Sequence, residues 1–274
     1  MSDLLSLLST RRPLVMGILN TTPDSFSDGG LHATSASAFD CAMKMIQQGA
    51  DIIDVGGEST RPGAAAVSVK EELNRVLPVI QSIRQASDVV ISIDTSKPEV
   101  MREAIASGAS CVNDVNALRA EGALDACAGQ DVPVCLMHMQ GEPRTMQQQP
   151  QYGNVVDEVK SFLQQRVECC IQAGIRREQI IIDPGFGFGK TLQHNLLLLK
   201  HLDQFVAMGL PVLVGLSRKS MLGAITGEEV DQRIYASVAA AVVARAKGAA
   251  IFRVHDVKAT VDALKVAQAV IDVD

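Results

Sequence analysis

The sequence predicts a single-domain (β/α)8 TIM barrel, and three observations predict it. Eight short runs rich in Val, Ile and Leu alternate with helical patterns along all 274 residues. Most of these runs are continuously apolar, as expected of parallel strands buried on both faces. Aromatic residues are only 3% of the chain and Trp is absent, so Ala, Val, Ile and Leu must fill the core. One closed core accounts for the length, since barrels of about 200–250 residues form one domain. A doubly wound sheet of the same content is the alternative.

The elements follow in order. Residues 1–13 read as an N-terminal extension. Their arginines follow the short apolar stretch, which is the wrong order for a signal peptide. The first strand, 15–20, ends in Asn20 and leads through a polar loop, 21–35, to a helix at 35–49. The second strand, 52–57, ends in Gly56-Gly57-Glu58, and its loop, 59–67, holds Thr60-Arg61-Pro62-Gly63. Both loops are poor in apolar anchors and read as mobile lids. Phe26 either closes over a substrate or pins its loop. Ser68-Val-Lys-Glu71 forms a capping box that opens the helix at 69–86. Strand 89–95 ends in Asp94-Thr95 and precedes a helix at 97–108. Strand 110–115 carries Asn113-Asp114 before a helix at 122–130. Strand 132–139 carries His138, and the helix at 155–174 aligns Val155, Val156, Val159, Phe162, Leu163 and Val167 on one stripe. Strand 180–184 carries Asp183, with a helix at 192–209. Strand 211–217 ends in Ser217-Arg218-Lys219 and is followed by a helix at 236–248. Strand 251–256 carries Arg253 and His255, and a helix at 257–272 completes the chain. Gly49, Gly108, Gly174, Gly209 and Gly248 stand where helices end before the next strand.

Polar residues at eight successive strand ends converge, in a barrel, on the C-terminal rim where barrel enzymes place their active sites. Asp94, Asn113 and Asp183 supply acceptors suited to the N–H edge of a flat heterocycle. Arg61, Lys219, Arg253 and His255 supply the opposite half, cations suited to phosphate. The alternative is that these charges simply neutralise one another across the rim.

Other chemistries are disfavoured. With 25 basic and 31 acidic residues, the net charge of −6 leaves no whole-chain footprint for nucleic acid. No apolar run approaches the length of a membrane span. The six cysteines form no CxxC pair and read as reduced, so a cytoplasmic protein is expected. The 184–191 segment looks like a phosphate loop but has Pro184 where that motif requires glycine. Its glycines instead suggest close backbone approach to a flat ligand. No HExxH or GxSxG motif is present.

At these residues the sequence resembles the dihydropteroate synthases of the pterin-binding enzyme family. The two signature segments are Met16-Gly-Ile-Leu-Asn20-Thr-Thr-Pro-Asp24-Ser-Phe26-Ser-Asp-Gly-Gly30 and Asp54-Val-Gly-Gly-Glu58-Ser-Thr60-Arg61-Pro62-Gly63. The match continues through Ser92-Ile-Asp94-Thr95, Asn113-Asp114, Met137-His138-Met139-Gln140-Gly141, Asp183-Pro-Gly-Phe-Gly-Phe188-Gly-Lys190, Ser217-Arg218-Lys219-Ser220 and Arg253-Val-His255-Asp256.

The resemblance implies an enzyme of folate synthesis. It would join 6-hydroxymethyl-7,8-dihydropterin pyrophosphate to 4-aminobenzoate, with Mg²⁺, and act as a homodimer through its late helices. It implies that Asp94, Asn113 and Asp183 hold the pterin edge and Lys219 its carbonyl side. Asn20, Arg61, Arg253 and His255 would hold the pyrophosphate, Asn20 partly through Mg²⁺. Thr60, Pro62, Phe188 and Ser220 would form the aminobenzoate pocket, where sulfonamides should compete. Met137 and Gly215 join the substrate-binding set. Asp94, Lys219, Arg253 and His255 would carry the catalysis, a dissociative substitution at the pterin methylene. A corrinoid-dependent methyltransferase or a non-enzymatic pterin-binding module are the other functions such a barrel could serve.

Overall fold

The computed structural model describes residues 3–21, 30–59, 66–141 and 145–273. Among them, eight strands form one parallel sheet: β1 (Leu14–Asn20), β2 (Ile52–Gly56), β3 (Val90–Asp94), β4 (Cys111–Asp114), β5 (Val134–Met137), β6 (Ile180–Asp183), β7 (Leu213–Val214) and β8 (Ile251–Val254). Neighbours run in chain order from β1 to β6, and β8 pairs with both β1 and β7. A parallel bridge from Ile182 to Val212 joins β6 to the residue before β7. The sheet therefore closes into the expected barrel rather than remaining an open, doubly wound sheet.

The surrounding helices are α1 (Leu4–Ser9), α2 (Gly30–Gln47), α3 (Val69–Ala86), α4 (Pro98–Ala106), α5 (Ala123–Cys127), α6 (Val155–Gln172), α7 (Leu192–Lys200), α8 (Leu202–Val206), α9 (Ser220–Thr226), α10 (Ile234–Ala246) and α11 (Val257–Ile271). Several differ from the sequence expectation. Helix α2 begins at Gly30, so the end of the expected 21–35 loop is helical. The pattern at 192–209 is two helices that meet at His201. Helix α9 is too short to show periodicity, although Gly227 at φ +77° marks its end. Ser68 caps α3 by accepting from the Glu71 amide at 3.2 Å, but Glu71 pairs with Arg75 instead of completing the box. The five glycines expected to end helices all have positive φ.

Alternation sends successive strand residues to opposite faces, and two apolar clusters show that partition. Outward residues such as Ile53, Val55, Ile91, Ile93, Leu136, Ile182 and Phe252 pack against the helices. Inward residues Leu14, Met16, Ile52, Val90, Cys111, Cys135, Ile181, Leu213 and Ile251 fill the N-terminal end of the barrel. Leu4 joins this inner cluster, with Leu7 and Leu8 against it. The expected extension is thus a helix that plugs the barrel floor. Two residues further along the strands, the inward set becomes Ile18, Asp54, Ser92, Asn113, Met137, Asp183, Gly215 and Arg253. One alternation beyond these come Asn20, Gly56, Asp94, Ser217 and His255. The barrel passes from an apolar floor to a polar mouth.

Candidate active site

A charge deep in a barrel needs a partner, because its lost hydration must be replaced. At the polar level that partner is Arg253. Its Nε donates to Asp54 Oδ2 at 2.6 Å and its Nη2 to Asp94 Oδ2 at 2.6 Å. Asn113 Nδ2 donates to the same Asp54 oxygen at 3.1 Å. Burial raises the Asp94 pKa against the pull of Arg253, and Asp54, Asp114 and Glu72 add to the rise. Arg253 pays its own desolvation yet stays above its ordinary value because two carboxylates face it. Part of the rim thus neutralises itself, as the alternative reading allowed. Asp54 belongs to this centre and was absent from the expected set. Its signal was a charge inside the apolar run Ile52-Ile53-Asp54-Val55.

Asp183 and Lys219 form the next part of the wall. Asp183 Oδ1 accepts from the Gly185 amide at 2.7 Å. Burial pushes its pKa up to about 6, opposed by that amide and by Lys219, Lys190 and Arg253. Lys219 lies at the head of α9 with Nζ 4.1 Å from the centroid of the Phe188 ring, a cation–π contact. Burial and the charge of Arg253 bring Lys219 down to about 8, while Asp183 and Asp94 pull the other way. The two groups therefore titrate on either side of neutrality.

The glycine-rich loop after β6 has a structural explanation. A Cβ on Gly185 would stand 1.9 Å from the His138 carbonyl oxygen, and one on Gly189 would stand 2.5 Å from that of Gln140. Those glycines let the β6 loop approach the β5 loop. Lys190, 3% exposed, fastens the two together. Its Nζ donates to the carbonyls of Gly185 at 2.8 Å and Phe188 at 2.9 Å, and lies 3.0 Å from His138 Nδ1. Burial and the Lys190 charge push His138 down to about 3, which leaves a neutral acceptor. Its ring packs edge-on against Phe162 of α6 at 4.9 Å. Lys190 itself is brought to about 7, chiefly by burial.

Two of the polar residues at the strand ends therefore do not face the mouth. His138 serves the outer layer. Asp114 accepts from the amides of Asn116 and Leu118, each at 2.7 Å, and from the Ser96 hydroxyl. Phe186, in the β6 loop, is also turned away from the mouth and buried between sheet and helices.

The remaining expected residues fall as follows. His255 is tied to Ser217: its amide donates to Oγ at 3.2 Å and its Nδ1 lies 3.0 Å from the same oxygen. Asn20 Oδ1 and Asp94 Oδ2 each lie 3.7 Å from where a Cβ on Gly56 would stand. Met137 is buried with Met139 and Met146, and Phe188 packs against that cluster. Gly215 opens onto space, with nothing within 4 Å of a Cβ built there. Ser220 is exposed at the start of α9. Thr60, Arg61, Pro62 and Phe26 lie outside the described residues.

Comparison with known proteins agrees with this geometry. The family described as pterin binding enzyme matches residues 16–255. The dihydropteroate synthase of Escherichia coli (strain K12) is 54% identical over 262 residues, 96% of this chain and 93% of the relative. The Xanthomonas albilineans dihydropteroate synthase with 4-aminobenzoic acid superposes with a TM-score of 0.91 at 53% identity, covering 96% of this chain and 94% of that one. The same enzyme in complex with 7,8-dihydropteroate gives 0.88 at 50% identity, covering 96% and 95%. With a closed parallel barrel, a mouth of paired carboxylates and cations, and these relatives spanning nearly its whole length, the chain belongs to the dihydropteroate synthase family of pterin-binding enzymes.

Proposed function

We propose that the chain makes 7,8-dihydropteroate by breaking the pterin methylene C–O bond before the new C–N bond forms. The observation that carries this reading is the inward level that brings Asn113, Asp183 and Arg253 together, with Asp94 and His255 one alternation above. Asp183, Asn113 and Asp94 accept from the pterin N–H edge, and Lys219 donates to its carbonyl. Pyrophosphate leaves with the bonding electron pair, and Arg253 and His255, with Arg61, hold its charge. The methylene carbon becomes cationic, and the Asp94 carboxylate stabilises it electrostatically. The uncharged amine of 4-aminobenzoate then supplies its lone pair to that carbon and loses one proton. Thr60, Pro62, Phe188 and Ser220 shape the aminobenzoate pocket, and Met137 and Gly215 line the pterin side.

The oxygens of Asn20 and Asp94 around Gly56 are hard donors of the kind Mg²⁺ accepts. Among the described residues no three His, Cys, Asp or Glu gather into a cage. That donor set fits an ion held by Asn20 that completes its shell with phosphate and water. When bound, Mg²⁺ supplies neutralisation of pyrophosphate charge.

Pyrophosphate release that requires both substrates tests the overall reaction. Positional oxygen-isotope exchange in the pterin pyrophosphate, without aminobenzoate, tests the bond order. Exchange is expected, and its absence under turnover conditions would refute a free cation. The exposed apolar residues Tyr235, Val243, Val266 and Val270 on α10 and α11 support a homodimer through the late helices. Sedimentation equilibrium tests it. No helix among the described residues is long and apolar enough to cross a membrane.

A further inference from the structure

Arg218 stands between Ser217, which holds His255, and Lys219, which faces Asp183. Its φ is +57°, in the left-handed region where a side chain other than Gly or Asn is disfavoured. Such an outlier persists only where its surroundings over-determine it, and here they do. Arg218 Nε donates to Asp256 Oδ2 at 3.0 Å and Nη2 to Asp256 Oδ1 at 2.6 Å, a two-pronged pair. The Arg218 amide donates to Ser237 Oγ at 2.9 Å, and its carbonyl accepts from Arg233 Nη1 at 3.3 Å. Asp256 also begins α11, yet its side chain makes no capping bond there, so both oxygens serve Arg218. Arg218 side-chain exposure is 32% and that of Asp256 is 15%, so the pair is shielded enough to act as a clamp.

We propose that the Arg218–Asp256 pair is a positioning device for the reaction. By holding residue 218 left-handed, it sets the Ser217 hydroxyl against His255 and the Lys219 ammonium beside Asp183 in a single backbone turn. The pair also joins the β7 loop to the residue after His255, so the pterin side and the pyrophosphate side of the mouth are aligned by the same contact. Arg218 and Asp256 are positioning residues and touch neither reactant. This inference rests on the assignment of Lys219 and His255 to the two halves of the pterin substrate.

A glycine series reads the mechanism directly. Glycine adopts positive φ at little cost, whereas alanine does not. Arg218→Ala and Arg218→Gly both delete the ion pair, but only the first should also lose the turn. If the competent turn is only fractionally populated, apparent affinity falls by that fraction. Arg218→Ala should raise KM for the pterin pyrophosphate by about tenfold, the factor a disfavoured left-handed residue implies, with kcat little changed. Arg218→Gly should stay within about threefold of the parent enzyme, since glycine populates both signs of φ. Equal losses in the two variants, or none in either, would overturn the proposal.

Should Arg218→Ala fail to fold, Asp256→Asn carries the test. Alone it should raise the same KM severalfold, but in the Arg218→Gly background it should add nothing, because the clamp has no partner left to hold. Additive effects would overturn the proposal. Lys219→Ala and His255→Ala serve as controls. If those variants retain normal pterin pyrophosphate affinity, the site assignment fails. If they lose it while Arg218→Ala and Asp256→Asn do not, positioning alone fails.

Discussion

Replacing Asp183 with asparagine should make the ligand-free protein more stable while weakening its hold on the pterin. The carboxyl is 5% exposed and sits on the barrel interior, where ionisation is costly. Burial takes its pKa from 3.8 to about 6. One pKa unit is worth about 1.4 kcal/mol, so the ionised group costs about 3 kcal/mol of folding free energy at pH 7.5. The sign follows from linkage. An acid whose folded pKa is raised holds its proton longer in the native state, so stability is greatest below the unfolded pKa and falls as pH rises through the folded value. At pH 4.5 the native group is protonated and the unfolded one mostly ionised, and the cost is about 1 kcal/mol. Asparagine keeps an oxygen to accept from the Gly185 amide and removes the charge. Unfolding entropy of about 2.1 cal/mol/K per residue, over the whole chain, converts these figures into a Tm rise of about 5 °C at pH 7.5 and about 2 °C at pH 4.5. Thermal unfolding at the two pH values gives the stability arm, and calorimetric titration with the pterin pyrophosphate gives the binding arm. A Tm that falls equally at both pH values would refute the reasoning, because Asp183 would then be a net stabilising hydrogen-bond acceptor.

Other expectations follow from the same contacts. The profile of kcat/KM for the pterin pyrophosphate against pH should rise as Asp183, near pH 6, and Asp94, whose pKa burial also raises, ionise, and fall as Lys219 loses its proton near pH 8. Lys219→Arg should move only the alkaline limb upward, and a limb that stays in place would assign it to another group. Lys190→Met leaves two loop carbonyls and His138 Nδ1 without their donor, and should cost roughly 1–3 kcal/mol in thermal unfolding and raise the pterin KM. An unchanged Tm would show that water replaces the ammonium. Leu4→Ala should cost roughly 2–5 kcal/mol with kcat/KM intact, since Leu4 is 1% exposed at the barrel floor, far from the mouth. Loss of activity without loss of stability would contradict the floor-and-mouth division.

The strands were legible because burial on both faces leaves a run of Val, Ile and Leu that no other element requires. Their closure was legible only by count: the apolar run at 211–217 announces its strand, but only Leu213–Val214 of it is regular, and the bridge from Ile182 to Val212 lies just outside. The break at His201, the short helix α9 and the plugging role of α1 were not legible, because each is decided by tertiary packing over a few residues. Among the polar residues at strand ends, Asp94, Asn113, Asp183 and Arg253 do face the barrel mouth. Reading strand ends also admitted Asp114 and His138 and passed over Asp54 and Lys190.

Strand parity separates these two groups where position along the strand does not. Asn20, Asp94, Asn113, Met137, Asp183, Gly215, Arg253 and His255 all lie an even number of residues from the apolar floor of their own strand, and so does Asp54. Asp114 and His138 are one residue off that rhythm, and both secure loops on the outer layer. Beyond the ends of the last two strands, Arg218 and Asp256 lie one residue from Ser217 and His255, and they pair with each other. A two-residue repeat thus sorts groups that face the barrel mouth from groups that hold the surrounding loops. The same repeat sorts the partners of the buried charges. At inward positions burial shifts the pKa values of Asp94, Asp183 and Lys219. Outward positions are buried too: Asp114 completes its hydrogen bonds with two amides and a hydroxyl, yet burial still raises its pKa, and burial pushes His138 down to about 3. Burial therefore shifts groups on both faces, and what differs is the partner: charged side chains across the mouth, loop backbone in the outer layer.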